Sequence, residues 1–210
     1  MENIHRIAYV WCMKPIHFLL AFAICPFAQS AHYKDGTSCG CDNLSRLRFS
    51  NGSVSTETPW VNGVRQGMER VYSDFGSLSR ETPYLGGIKQ GTEVFYFESG
   101  SPQTEIPFVD GVVQGIQKQY FENHIVQFET PYTNGLKEGL VKEFYESGAL
   151  SAETPFVQGK EQGTAKEYSE AGVLLSETPW VNGVRQGKGK IFYGSGALKT
   201  ETTWENGVRK

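Results

Sequence analysis

The chain has 210 residues, 20 Lys+Arg against 23 Asp+Glu, and a formal net charge of −3, so no charge excess marks it for nucleic acid or an anionic membrane surface. The 24 glycines and 13% aromatic residues sit in a repeating order, which excludes a low-complexity tail and points to one architecture used many times.

The N-terminal stretch stands outside that order. Met13-Lys14 precedes an apolar run, Ile16 to Phe27, and then Ala28-Gln29-Ser30-Ala31. A basic residue, a short apolar core and small residues at −3 and −1 describe a secretory signal peptide over residues 1–30, cleaved after Ser30. The first twelve residues are out of place in such a peptide, so the start is read at Met13. The apolar run is short of the roughly 20 residues of a membrane span. An uncleaved anchor fits less well, and so does a lipoprotein, because Ile24 precedes Cys25. The mature chain is therefore expected to lie outside the cytoplasm with no integral span. Residues 31–47 read as a linker carrying Cys39 and Cys41, too close for an unstrained bridge and too few for a zinc site.

From residue 48 to 210 the sequence repeats about seven times with a 24-residue period and no insertion. Glu57, Glu81, Glu105, Glu129, Glu153, Glu177 and Glu201 mark the phase, and six of the seven open a Glu-(Thr/Ile)-Pro-aromatic phrase. Glycine or proline interrupts every window long enough for a helix. Asn62-Gly63, Asn134-Gly135, Asn182-Gly183 and Asn206-Gly207, with Asp110-Gly111 as a variant, are type I′ hairpin turns. Ser-Gly pairs such as Ser99-Gly100 mark the second turn, with His124 once in place of its glycine. Two strands per unit follow, read as Leu150 to Val157 and Lys160 to Tyr168 in one copy. The prediction is an all-β, elongated, single-layer antiparallel sheet of repeated hairpins.

Two aromatic columns accompany the glycines. Trp60, Tyr84, Phe108, Tyr132, Phe156 and Trp180, continued by Trp204, form the first; the second runs from Tyr72 to Phe192. Gly67, Gly91, Gly115, Gly139, Gly163 and Gly187 fall within the second strand, where bare backbone weakens pairing unless something lies over it. The first column is expected to supply that cover, as an aromatic–glycine ladder forming a thin core.

Phe108-Val109-Asp110-Gly111-Val112-Val113-Gln114-Gly115 and the following Tyr120-Phe121-Glu122-Asn123 resemble the membrane occupation and recognition nexus (MORN) repeat. The nearest resemblance is to its bacterial variant, often labelled antitoxin-like, and it extends over about residues 48–210. It implies the same elongated sheet of hairpins. The recurrent Glu-Thr-Pro lead departs from the general pattern.

The glutamate column invites a reading as a cation site. Equivalent strands lie about 9–10 Å apart, whereas calcium takes oxygens at about 2.3–2.6 Å, so neighbours of the column cannot share an ion. At that separation their repulsion in water is only about 0.4 kcal/mol. The column is expected to be a solvent-facing stripe, paired with Lys118, Lys142, Lys166 and Lys190. The prolines before the first aromatic column are expected to bend the strand or limit its pairing. No pattern of nucleophile and base, phosphate loop or metal quartet appears, so no catalytic, cofactor or metal residue is assigned. Phe97, Phe121, Tyr145 and Tyr193, one residue beyond the second column, are the candidate binding surface, placed by alternation on the opposite face. The functional expectation is an exported, non-enzymatic scaffold for a protein or envelope partner. An antitoxin-like inhibitor and a lipid-associated protein are the alternatives, and self-association through terminal strands is expected if those strands are uncovered.

Overall fold

The computed structural model describes residues 44–210; the segment expected to be a signal peptide, most of the expected linker and Cys39 and Cys41 lie outside the described residues. The described chain is one antiparallel sheet of 21 strands with no helix. Each unit contributes an eight-residue strand, a two-residue strand and a six-residue strand, as in Leu150–Val157, Lys160–Glu161 and Gly163–Tyr168. The eight-residue strand has the span predicted. The second strand does not run unbroken, because one residue interrupts it.

That interruption explains the glycine. Gln66 leaves the ladder while its amide donates to the Pro59 carbonyl at 3.0 Å, and Gly67 then turns the chain back into register. The six equivalent glycines have φ between 102° and 112°, a region L side chains rarely adopt. The register does place each one opposite the expected aromatic: Gly67 with Tyr84, Gly91 with Phe108, Gly139 with Phe156. On the side where a Cβ would stand, the cover is a proline ring. A Cβ added at Gly67 would meet Pro59 Cγ at 3.3 Å, and the equivalent proline ring is nearest at the other five. Proline shields the backbone from its own hairpin, so its role is to cap a bulge.

The hairpin turns follow the sequence closely. Asn62 and Gly63 have φ of 52° and 75°, and the same two-residue positive-φ geometry recurs at Gln158-Gly159, where glutamine is an unfavoured first residue. His124, in place of glycine in the second turn, takes φ of 68°.

Successive units are joined by more than strand pairing. The six-residue strand pairs with the long strands before and after it, so Arg70 lies opposite both Glu57 and Glu81. The residue that leaves the ladder also clamps the next turn. Gln66 Oε1 accepts from the Gly86 amide at 2.8 Å, and Gln90, Gln114, Glu138, Gln162 and Gln186 repeat the bond at 2.7–2.9 Å.

Among the described residues no apolar side chain is fully buried; the most shielded are polar, with Thr82 at 1% and Glu93 at 3% exposure. A single layer has no second sheet to pack against. Stability therefore rests on the backbone ladder and on half-buried side chains packed along each face.

Candidate binding surfaces

Alternation divides the strands into two faces. One carries the first aromatic column with Thr58, Glu69 and their equivalents; the other carries the glutamates, the prolines and the second aromatic column.

On the aromatic face, cations lie between the rings. The Arg65 guanidinium is 5.7 Å from the Trp60 centroid and 5.0 Å from that of Tyr84, whose hydroxyl it reaches at 3.0 Å. Lys89 stands over Phe108, Lys137 over Phe156, and Arg185 over both Trp180 and Trp204. Below this row, the N-terminal half of the face is filled by charge. Glu93 accepts from Lys89 Nζ at 2.8 and 2.9 Å and from Thr82 Oγ1 at 2.8 Å. Arg80 reaches towards both Glu69 and Glu93, at 3.6 and 3.9 Å, with its guanidinium 5.9 Å from the Phe95 centroid. Burial of these charges is tolerable because each carboxylate has several partners.

Further along, the same row becomes small. The residues equivalent to Glu69 and Glu93 are Gln117, Val141, Ala165 and Gly189. Trp204 fills the space over Gly189, with its Nε1 3.1 Å from where a Cβ would stand. Over Val141 and Ala165 no such ring closes the space, and a depression of about 330 Å³ remains between Phe156 and Trp180.

The glutamate face is ordered differently from the predicted solvent stripe. Glu57, Glu81 and Glu153 are only 18–21% exposed at the side chain. Each accepts a hydroxyl from the tyrosine 15 residues later: Tyr72 on Glu57 at 3.0 Å, Tyr96 on Glu81 at 2.8 Å, Tyr120 on Glu105 and Tyr168 on Glu153 at 2.9 Å. Arg46 and Arg70 reach Glu57 and Glu81 at 2.7 and 2.9 Å. Of the expected lysine partners, Lys118, Lys166 and Lys190 lie 4.0, 3.2 and 3.6 Å from Glu129, Glu153 and Glu177. The Arg46 bond holds the Glu57 carboxyl below the usual carboxylate range, against the opposing effect of burial. Burial, reinforced by the bonds to Glu81 and Glu105, pushes the Tyr96 and Tyr120 hydroxyls up to about 12.

Phe97, Phe121, Tyr145 and Tyr193 lie outside the strands, at the first position of the tight loop after each six-residue strand. The amide of Phe97 donates to the Ser101 carbonyl, and the other three repeat that bond. Strand alternation therefore does not determine their direction. The first three are half-buried, and Tyr145 donates its hydroxyl to the Tyr168 carbonyl of the next unit at 2.7 Å. Tyr193 is 52% exposed, with Lys199 over its ring.

Sequence reading passed over an aliphatic band at the hairpin-turn side of the glutamate face. Leu85 lies opposite Ile88, Val109 opposite Val112 and Val181 opposite Val184, all exposed. Val64, Leu136, Val157 and Val208 continue the band, and Met68, Ile116 and Leu140 widen it. Six periods separate Val64 from Val208, a length of about 55–60 Å at two strands per period. The signal was present in the aliphatic residues flanking each Asn-Gly turn.

The repeat unit has a counterpart among known families. The family described as "MORN repeat variant" matches residues 89–110, 137–158 and 161–182, whose starts are two periods and then one period apart. Three units of the array match the MORN repeat. No curated protein matches the chain. The three matched MORN segments run from one short strand through the next long strand to the first residue of its turn, so the match contains the bulge glycine and the last aliphatic residue of the long strand. A MORN array is a scaffold suited to protein or membrane interaction. Among the described residues no helix is long and apolar enough to cross a membrane.

Proposed function

We propose that the chain is an exported, non-enzymatic MORN-repeat scaffold that docks a protein partner along the hairpin-turn side of its glutamate face. The aliphatic band carries the reading. Single exposed aliphatic residues are ordinary, but a continuous row repeated in phase is the kind of patch that partners cover. Its backbone is already fixed by the turn clamps, so a partner would meet a pre-organised surface and little ordering cost. The signal-peptide pattern at residues 1–30 supports placement outside the cytoplasm.

Crosslinking in the native host followed by cell fractionation tests both parts. The expected product is shortened at its N-terminus, found outside the cytoplasm and crosslinked to a partner; Ile88→Glu with Leu136→Glu should abolish crosslinking without changing the β-sheet circular dichroism. A full-length cytoplasmic product would overturn export. Equal crosslinking by the folded double variant would overturn the band as the docking surface.

A further inference from the structure

We infer that the depression on the aromatic face between Phe156 and Trp180 receives an arginine side chain supplied by a partner. The array itself shows what fills such an environment. Three units earlier, the equivalent space holds the chain's own cations: Arg80 lies over Phe95 and reaches Glu69 and Glu93, and Lys89 bonds Glu93 beside Phe108.

At the depression, three units on, the position of Arg80 is occupied by Ala152 and that of Lys89 by Glu161, while the next unit's residue at the Lys89 position, Arg185, lines the depression. Carboxylates appear around the vacated position instead. Ala152 lies opposite Glu143 on one side and Glu167 on the other, where Arg80 is flanked by Val71 and Phe95. Glu143, Glu161 and Glu167 all line the depression, with aromatic rings as walls and Val141 and Ala165 among its lining. Glu167 accepts from Ser176 Oγ at 2.8 Å. The neighbouring cations are placed elsewhere: Lys166 on Glu153 across the sheet, Lys137 over Phe156, and Arg185 over the two tryptophans.

The local balance is three carboxylates against Arg185, beside flat aromatic walls. A guanidinium meets both demands, because it is planar enough to stack on a ring and presents a fork of donors to carboxylates. Glu143 and Glu167 sit two strands apart, about 9–10 Å at the backbone, a gap that their side chains and one guanidinium can close over the small Ala152. This inference depends on the array being a binding scaffold, but not on the aliphatic band of the opposite face.

The test is a titration of the whole chain with N-acetyl-arginine amide, read at the Trp180 indole N–H by NMR, beside its uncharged isostere N-acetyl-citrulline amide. Arginine should give a saturable shift centred on Trp180 and Ala165, and citrulline none. Glu143→Gln with Glu167→Gln should weaken binding at least about tenfold, the loss of one charge-assisted contact. Ala152→Arg should block it by restoring the array's own cation, with thermal stability reporting that the fold is kept. Equal shifts for arginine and citrulline would overturn the inference, as would undiminished binding by either folded variant. Failure of the Ile88→Glu and Leu136→Glu crosslinking experiment leaves these outcomes unchanged, so the two readings fail separately.

Discussion

Replacing Gly139 with valine separates the two causes that fix a glycine at each bulge. Its φ of 110° costs an L residue about 1–3 kcal/mol, with valine at the upper end because it is β-branched. The new Cβ would also stand 3.3 Å from Pro131 Cγ, closer than ordinary contact, and 3.7 Å from its Cβ. Crowding of this kind adds about 1 kcal/mol or more, for a total of about 2–4 kcal/mol. At about 2–4 °C per kcal/mol for a chain of this size, the melting temperature by circular dichroism should fall by roughly 5–15 °C. Hydrogen exchange should show the loss first at Leu136–Lys137, Gly139–Phe144 and Leu150–Val157, which meet at the bulge. Pro131→Ala in the same chain should recover the crowding part alone. An unchanged melting temperature for Gly139→Val would refute the bulge argument, and complete recovery with Pro131→Ala would show that backbone conformation plays no part.

Two other outcomes test the glutamate face. The Tyr96 and Tyr120 hydroxyls are raised from 10.0 to about 12, so the fold favours their neutral, donating form. Their contribution to stability is therefore complete below pH 10 and is lost as pH rises towards 12, the sign expected for a raised folded-state value. Urea unfolding across that window, alongside the ultraviolet band of tyrosinate, should show the loss in the native chain and less of it in Tyr96→Phe with Tyr120→Phe; ionisation at the ordinary value with no stability change would contradict the hydroxyl–carboxylate pairing. Glu129→Gln and Glu153→Gln should each alter stability by no more than about 1 kcal/mol, because glutamine still offers an acceptor to Tyr168 and Phe144 leaves Glu129 without a hydroxyl partner. Glu153→Leu should cost more than Glu153→Gln, and equal melting temperatures would show that the Tyr168 bond contributes nothing.

The fold was legible because its signals are local and occur in every unit. The Asn-Gly turns, the 24-residue phase and the span Leu150–Val157 need no knowledge of distant contacts. What escaped depends on register or depth. A glycine that spares a ring and a glycine that permits positive φ look alike in sequence, so Gly163 was read as covered strand although a bulge lies at Gln162-Gly163. Alternation puts the glutamates on one face, but their depth is set by tyrosines that approach across a hairpin. The Phe97 row lies one residue past the strand end, where alternation no longer fixes a direction. The depression at Ala165 was visible only as a drift from Glu93 to Gly189 in one column, and its meaning requires knowing which columns are neighbours.

The clamping side chain at each bulge, glutamine in five units and Glu138 in one, gives the array a polarity. These side chains receive an amide from the following turn, 20 residues on, so each clamped turn is held by the preceding unit and none by the following one. Such a clamp would favour assembly in the order in which the chain emerges. A unit that has already folded presents both an open strand and a waiting acceptor to the one being delivered. A chain threaded through a membrane N-terminus first would meet these templates in the productive order, without waiting for a distant partner segment to arrive.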